Sequence, residues 1–253
     1  MATRFFNLGE GTRAELARRW ELAREPCPED VRGPRLLLLL NELTWVAEPV
    51  KRMFREHRVA TARTPRSVML LPGFGAHPIR MRYMARQLEK AGHTVKRWGM
   101  GYNLGATAER FFKVEERLLD LFARRGEPIV LVGWSLGGVI ARELAKRHPD
   151  KVAKVITMGS PFSGSPRANN GWRAYQAIAG HRVDEPEFEA EPAVKPPVET
   201  VALWSPLDGV VNPRSACGWP GERDRAVPVR CSHMGFVYSK DSIDRVLGEL
   251  EAV

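Results

Sequence analysis

The chain has 253 residues, of which 43% are hydrophobic and 27% charged, and a formal net charge of +9. This composition excludes a disordered, collagenous or coiled-coil protein and predicts a domain with a sizeable core. No apolar run reaches the roughly 18 residues of a membrane span. Three cysteines are too few for a disulfide scaffold. The opening MATRFFNLGEGTRAELARRW lacks a secretory signal's apolar core and cleavage site, so a reducing cytoplasm is expected.

Residues 1–66 read as a basic, helical segment packed on the core, broken at PCPED and VRGP. Within it, LLLLLNELTWVAEPVKRMF fits a helix docked on the core through Leu36, Leu37, Leu40, Leu43 and Val46–Ala47 better than an amphipathic helix on a membrane. Residues 67–253 read as an α/β domain. SVMLLPG is a buried strand stopped by Pro-Gly, Ile79 to Ala91 has helical periodicity, and HTVKRWG is a second strand. Ala106 to Arg125 is a helix with a wide apolar face. PIVLVGW is a third strand, Leu136 to Arg147 a helix, and VAKVITMGS a fourth strand. From about 163 to 197 the periodicity fails, leaving one short helix and an acidic, proline-rich tail. ETVALWS and AVPVRCS are further strands, and Ser239 to Glu251 closes the chain as an amphipathic helix. Strands alternating with helices predict a doubly wound, mostly parallel sheet of about six strands, with ligands at the carboxyl ends.

The residues after the strands carry the chemistry. Gly133-Trp134-Ser135-Leu136-Gly137 matches G-x-S-x-G between a strand and a helix. There the sharp turn exposes the Ser135 side chain, and the helix's first N–H groups point at a reacting carbonyl. A serine needs a base, and the chain has six histidines. His57 in REHR, His93 at a helix–strand turn and His148 at a helix end suit structural roles; His181 lies in the irregular stretch. His77 follows the first strand and is expected to line the site. His233, between the last strand and last helix, is the expected base. Asp208, at the end of ETVALWS, is the expected orienting acid, ahead of Asp184, Glu185 and Glu187. The N–H groups of Leu136 and of Phe74, in Pro72-Gly73-Phe74-Gly75, are the expected oxyanion donors.

With these residues in place, the chain resembles the α/β-hydrolase superfamily in its bacterial lipase and esterase branch. The matching pieces are LLPGFGAHP, LVGWSLGGVIARELAKRHP, ITMGSPFSG, SPLDGVV and CSHMGF, within residues 67–251. The resemblance implies a Ser135–Asp208–His233 triad with Phe74 and Leu136 as oxyanion donors. Two departures stand out. Pro72-Gly73 replaces the usual His-Gly, and a helical segment replaces the extra antiparallel strands that open larger members.

The expected function is therefore a serine hydrolase of small-molecule or lipid esters with apolar acyl chains. Trp134, His77, Trp172 and Tyr175 would contact substrate. The 163–197 insertion reads as a small cap over the acyl pocket rather than a plain surface loop. Acyl transfer or thioester hydrolysis would use the same residues. The rival of another kind is a hydrolase-fold protein that binds a lipid or partner without turnover. No metal or cofactor is expected, since HExxH and CxxC are absent and GWSLGG lacks the Lys-Ser/Thr of a phosphate loop. Basic residues are mixed with acids along the chain, which argues against nucleic acid and leaves weak attraction to anionic membrane surfaces. Cys217 and Cys231 flank the loop from Asp208 to His233; a cytosolic chain argues for free thiols over a bridge.

Overall fold

The computed structural model describes residues 10–43 and 57–252. In chain order the elements are α1 (Glu10–Arg24), α2 (Leu37–Glu42), β1 (Ser67–Leu71), a 3-10 turn (Pro78–Met81), α3 (Arg82–Lys90), β2 (Thr94–Arg97), α4 (Ala108–Arg125), β3 (Ile129–Trp134), α5 (Leu136–Arg147), β4 (Val152–Met158), α6 (Trp172–Ala179), β5 (Glu199–Trp204), α7 (Pro213–Cys217), β6 (Arg225–Pro228), a second 3-10 turn (Met234–Val237) and α8 (Lys240–Glu251). The six strands pair in parallel, in the order β2-β1-β3-β4-β5-β6.

Strands β1, β3 and β4 divide their side chains between two cores. Along β1, Val68 and Leu70 join one cluster and Met69 and Leu71 the other; along β3, Val130 and Val132 part from Ile129 and Leu131 in the same way. The first cluster packs under α3 and α8 through Met84, Leu88, Ile243 and Val246. The second packs under α4 and α5 through Phe111, Leu118, Ile140 and Leu144. Burying each such side chain contributes about 1.5–3 kcal/mol. The fit of α4 is local as well as tertiary. Thr107 caps its start by accepting from Arg110 N, and Gly126 ends it in the left-handed region at φ 67°. After β1 the chain steps outward to β2, then returns to the far side of β1 as β3. The reversal opens a crevice at the carboxyl ends of β1 and β3.

The N-terminal segment departs from its expected form. α1 packs mainly on α6. Leu36, Leu37, Leu40 and Leu43, expected to point inward, are exposed; the buried side chain of α2 is Glu42. Val46–Ala47 lie outside the described residues. α2 docks through backbone: a Cβ on Gly209 would lie 2.5 Å from the Leu38 carbonyl oxygen. Asn170 donates to Pro34 O and Gly209 O, and Asn212 to Arg32 O, so residues 32–42 form a strap across the loop after β5. Residues 57–66 run without helix, against the helical segment expected up to residue 66; Arg55 and Glu56 of REHR lie outside the described residues. Pro65 disfavours helical geometry in the residue before it, and Ala62 N donates instead to Ala91 O.

Candidate active site

Ser135 is the single residue between β3 and α5, and its backbone sits at φ 54°, ψ −124°. It is the only non-glycine residue with positive φ among the described residues. Such strain costs about 1–3 kcal/mol and persists only where the surroundings enforce it. Here Ser135 N donates to Met158 O at 2.8 Å, and Ser135 O accepts from Gly138 N at 2.9 Å. The two motif glycines let α5 approach the sheet. A Cβ on Gly133 would lie 2.4 Å from Gly137 O, and one on Gly137 would lie 2.2 Å from Leu71 O. Leu136 opens α5, so its N–H belongs to the first turn, where no intrahelical acceptor exists.

Asp208 follows β5 and is fully buried. Its Oδ1 accepts from the N–H groups of Val210 and Val211, both at 2.8 Å, which leaves Oδ2 to face His233 Nδ1 at 2.8 Å. The Asp208 carboxylate can only accept, so Nδ1 carries the proton and Nε2 keeps its lone pair. The backbone of His233 is fixed on both sides. Its carbonyl accepts from Trp134 Nε1 at 3.1 Å, and its N–H donates to Glu42 Oε1 at 2.8 Å. Burial works against a charged imidazole. The Asp208 charge and hydrogen bond, together with the Glu42 charge, outweigh burial, and the His233 pKa is raised above its ordinary 6.5.

A cavity of about 290 Å³ opens over this group. Ser135, His233, Phe74, Leu136, Trp134, Trp172 and Tyr175 all line it, so the structure brings together the expected nucleophile, base, oxyanion donors and most of the expected substrate contacts. His77 is the exception. Its Nδ1 accepts from Ile79 N to cap the first 3-10 turn, and its ring packs on Tyr102; it does not line the cavity. The other acids weighed against Asp208 for orienting the base lie elsewhere: Asp184 pairs with Arg167, Glu185 with Arg182, and Glu187 accepts from Ala108 N. Cys217 and Cys231 are free thiols. Sequence reasoning missed Arg80, Val210, Val211 and Met234 on the cavity wall, and Glu42 behind it. The available signal for Glu42 was a carboxylate embedded in a leucine run.

With this geometry in view, comparison with known proteins places the fold. A family profile described as the alpha/beta hydrolase fold matches residues 116–214, which include Ser135 and Asp208. A metagenome-derived lipolytic enzyme from work on LipS and LipT superposes with a TM-score of 0.55 at 14% identity, covering 78% of this chain and 97% of that one. A pyrethroid hydrolase from Sphingobium faniae superposes with a TM-score of 0.54 at 16% identity, covering 75% and 98%. The pimeloyl-(acyl-carrier protein) methyl ester esterase of Aliivibrio salmonicida is 37% identical over 87 residues, or 34% of this chain and 31% of that protein. The match thus spans about a third of that curated relative's length. The chain thus has the alpha/beta hydrolase fold. Among the described residues, no helix is long and apolar enough to cross a membrane.

Proposed function

We propose that the protein is a serine hydrolase that cleaves carboxylic esters through an acyl-enzyme on Ser135. One observation carries this reading: a strained serine shares a mostly apolar cavity with a histidine whose other ring nitrogen is bonded to a buried aspartate. Ser135 Oγ attacks the ester carbonyl carbon while His233 Nε2 takes its proton. The N–H groups of Phe74 and Leu136 stabilise the oxyanion. The tetrahedral intermediate then collapses, the bond to the alcohol oxygen breaks, and His233 returns the proton to the departing alcohol. Water, deprotonated by His233, attacks the acyl–serine ester; Ser135 leaves with that proton, and the carboxylic acid is released. Asp208 holds the ring and its positive charge throughout.

In this reading residues 163–197 form a small cap on the 67–253 domain. Trp172, Tyr175 and Val183 of that stretch wall the acyl side of the cavity. Methyl esters of medium acyl chains are the first substrates to try, because curated relatives bear the name of a methyl ester esterase. Cytoplasmic residence and weak attraction to anionic membrane surfaces belong to the same reading, from the free thiols and the net charge of +9. The test is an ester panel of increasing chain length, run beside a fluorophosphonate probe and with competing alcohols. Turnover with Ser135 labelled and free acid as the product supports hydrolysis. Ester product formed from the added alcohol would make the protein an acyltransferase. Absence of both labelling and turnover would leave a binding protein on a hydrolase scaffold.

A further inference from the structure

Glu42 stands at the end of the N-terminal strap, and its side chain is buried beneath the site. Its Oε1 accepts from Gly209 N at 2.9 Å and from His233 N at 2.8 Å, and its Oε2 accepts from Met234 N at 2.8 Å. Gly209 directly follows Asp208. One carboxylate therefore joins the loop that carries the acid to the loop that carries the base.

We propose that Glu42 is a positioning residue for the reaction: it clamps the Asp208 and His233 loops in register and stabilises the imidazolium that forms during ester cleavage. The inference rests on the Ser135–His233–Asp208 reading above. Charge-assisted bonds to backbone N–H groups are roughly twice as strong as neutral ones, so a buried carboxylate with three such donors fixes both loops. It also adds a second negative charge near His233. Asp208 is the other carboxylate facing the ring; Arg80 lines the same cavity, and Asp241 accepts from Arg230 N on the approach to His233. Trp134 and Phe236, against the ring, carry no charge. The Glu42 charge acts on His233 in the direction that favours the protonated ring. A Glu42 that only held the fold would change stability without changing how His233 titrates.

The test compares Glu42→Gln, which keeps length but loses charge and one acceptor, with Glu42→Asp, which keeps charge on a shorter reach. Both are confirmed as folded by circular dichroism. His233 is titrated directly by NMR of labelled imidazole, and kcat/KM is followed against pH on the best ester. For Glu42→Gln the His233 titration and the acidic limb should both move down by roughly one pH unit, and kcat should fall about 10-fold or more. Glu42→Asp should restore most of the titration. If folded Glu42→Gln titrates like the parent and keeps its kcat, the inference is overturned. Ser135→Ala, run alongside, separates the two readings. Turnover surviving in Ser135→Ala sinks the serine mechanism itself, while the NMR titration still decides whether Glu42 governs His233. If both variants fail to fold, Glu42→Gln introduced into the Ser135→Ala protein and stabilised by a bound product acid supplies the titration. Failure to fold there too assigns Glu42 to stability and overturns the inference.

Discussion

At Ser135 a strained backbone coincides with the proposed nucleophile, and it gives the simplest test. Removing one oxygen from a turn residue leaves little packing defect, so Ser135→Ala should keep its thermal midpoint. It should lose turnover by several orders of magnitude, about 10⁴-fold or more, and lose fluorophosphonate labelling altogether. Persistent labelling at another serine would overturn the assignment. Asp208→Asn should fold, because Val210 and Val211 can still donate to its remaining oxygen. Its kcat should drop by up to about 10⁴-fold, since an amide lets the imidazole adopt the wrong tautomer. The pH profile follows from the raised His233 pKa. Only the neutral ring can accept the serine proton, so kcat/KM should fall as pH drops through a value above 6.5. Stability runs the other way. The fold binds this proton more tightly than the unfolded chain does, so the contribution is full below about pH 6.5 and fades as pH rises through the folded pKa. His233→Ala should erase the acidic limb; a limb that survives would move the base to another residue.

At the scale of elements, α6 lies between the site cavity and the strap. Trp172 and Asn169 line the active cavity on one side and a second cavity of about 270 Å³ on the other, where Leu36 and Leu39 of the strap are found. The guanidinium groups of Arg167 and Arg173 lie against the Trp172 ring and hold it as a wall. Trp172→Ala should join the two spaces and move the preferred acyl chain longer in an ester panel, at a stability cost of about 3–5 kcal/mol if the gap stays empty. An unchanged chain-length profile would place the acyl group elsewhere. The sequence points to Trp172 as a substrate contact, but that it divides two cavities is not legible there, whereas the sheet is. Six apolar runs with helices between them specify a parallel sheet, and G-x-S-x-G, Asp208 and His233 each follow a strand whose end the pattern marks. Glu42 and Trp172 matter through contacts with distant residues, and no local period encodes those. His77 shows the converse: a position after β1 suggested a pocket residue, but its ring is used to cap the next turn. The leucines of α2 misled for a related reason, since a helix of six residues can dock by its backbone and one carboxylate while Leu37 and Leu40 stay outside.

Taken whole, the molecule separates its chemistry from its charge anchor. At the amino ends of β4, β5 and β6, opposite the site, fully buried Lys154 lies 3.0 Å from Glu199 and 3.6 Å from Glu249, and Arg225 pairs with both glutamates. Removing one partner leaves a buried ammonium short of acceptors. Glu249→Ala should therefore lower unfolding free energy by about 1–3 kcal/mol in urea titration while kcat/KM stays within about twofold. A large loss of kcat/KM would mean the two ends of the sheet are coupled. The strap has a further consequence, in time rather than in space. Asp208 and His233 are 25 residues apart in the chain, whereas Glu42 and His233 are 191 apart. Contacts between distant residues carry the larger loop-closure entropy and form late. On dilution from denaturant, the helical and sheet signal should thus recover first, and serine-probe reactivity should follow in a slower phase as the strap settles across the loops that carry Asp208 and His233.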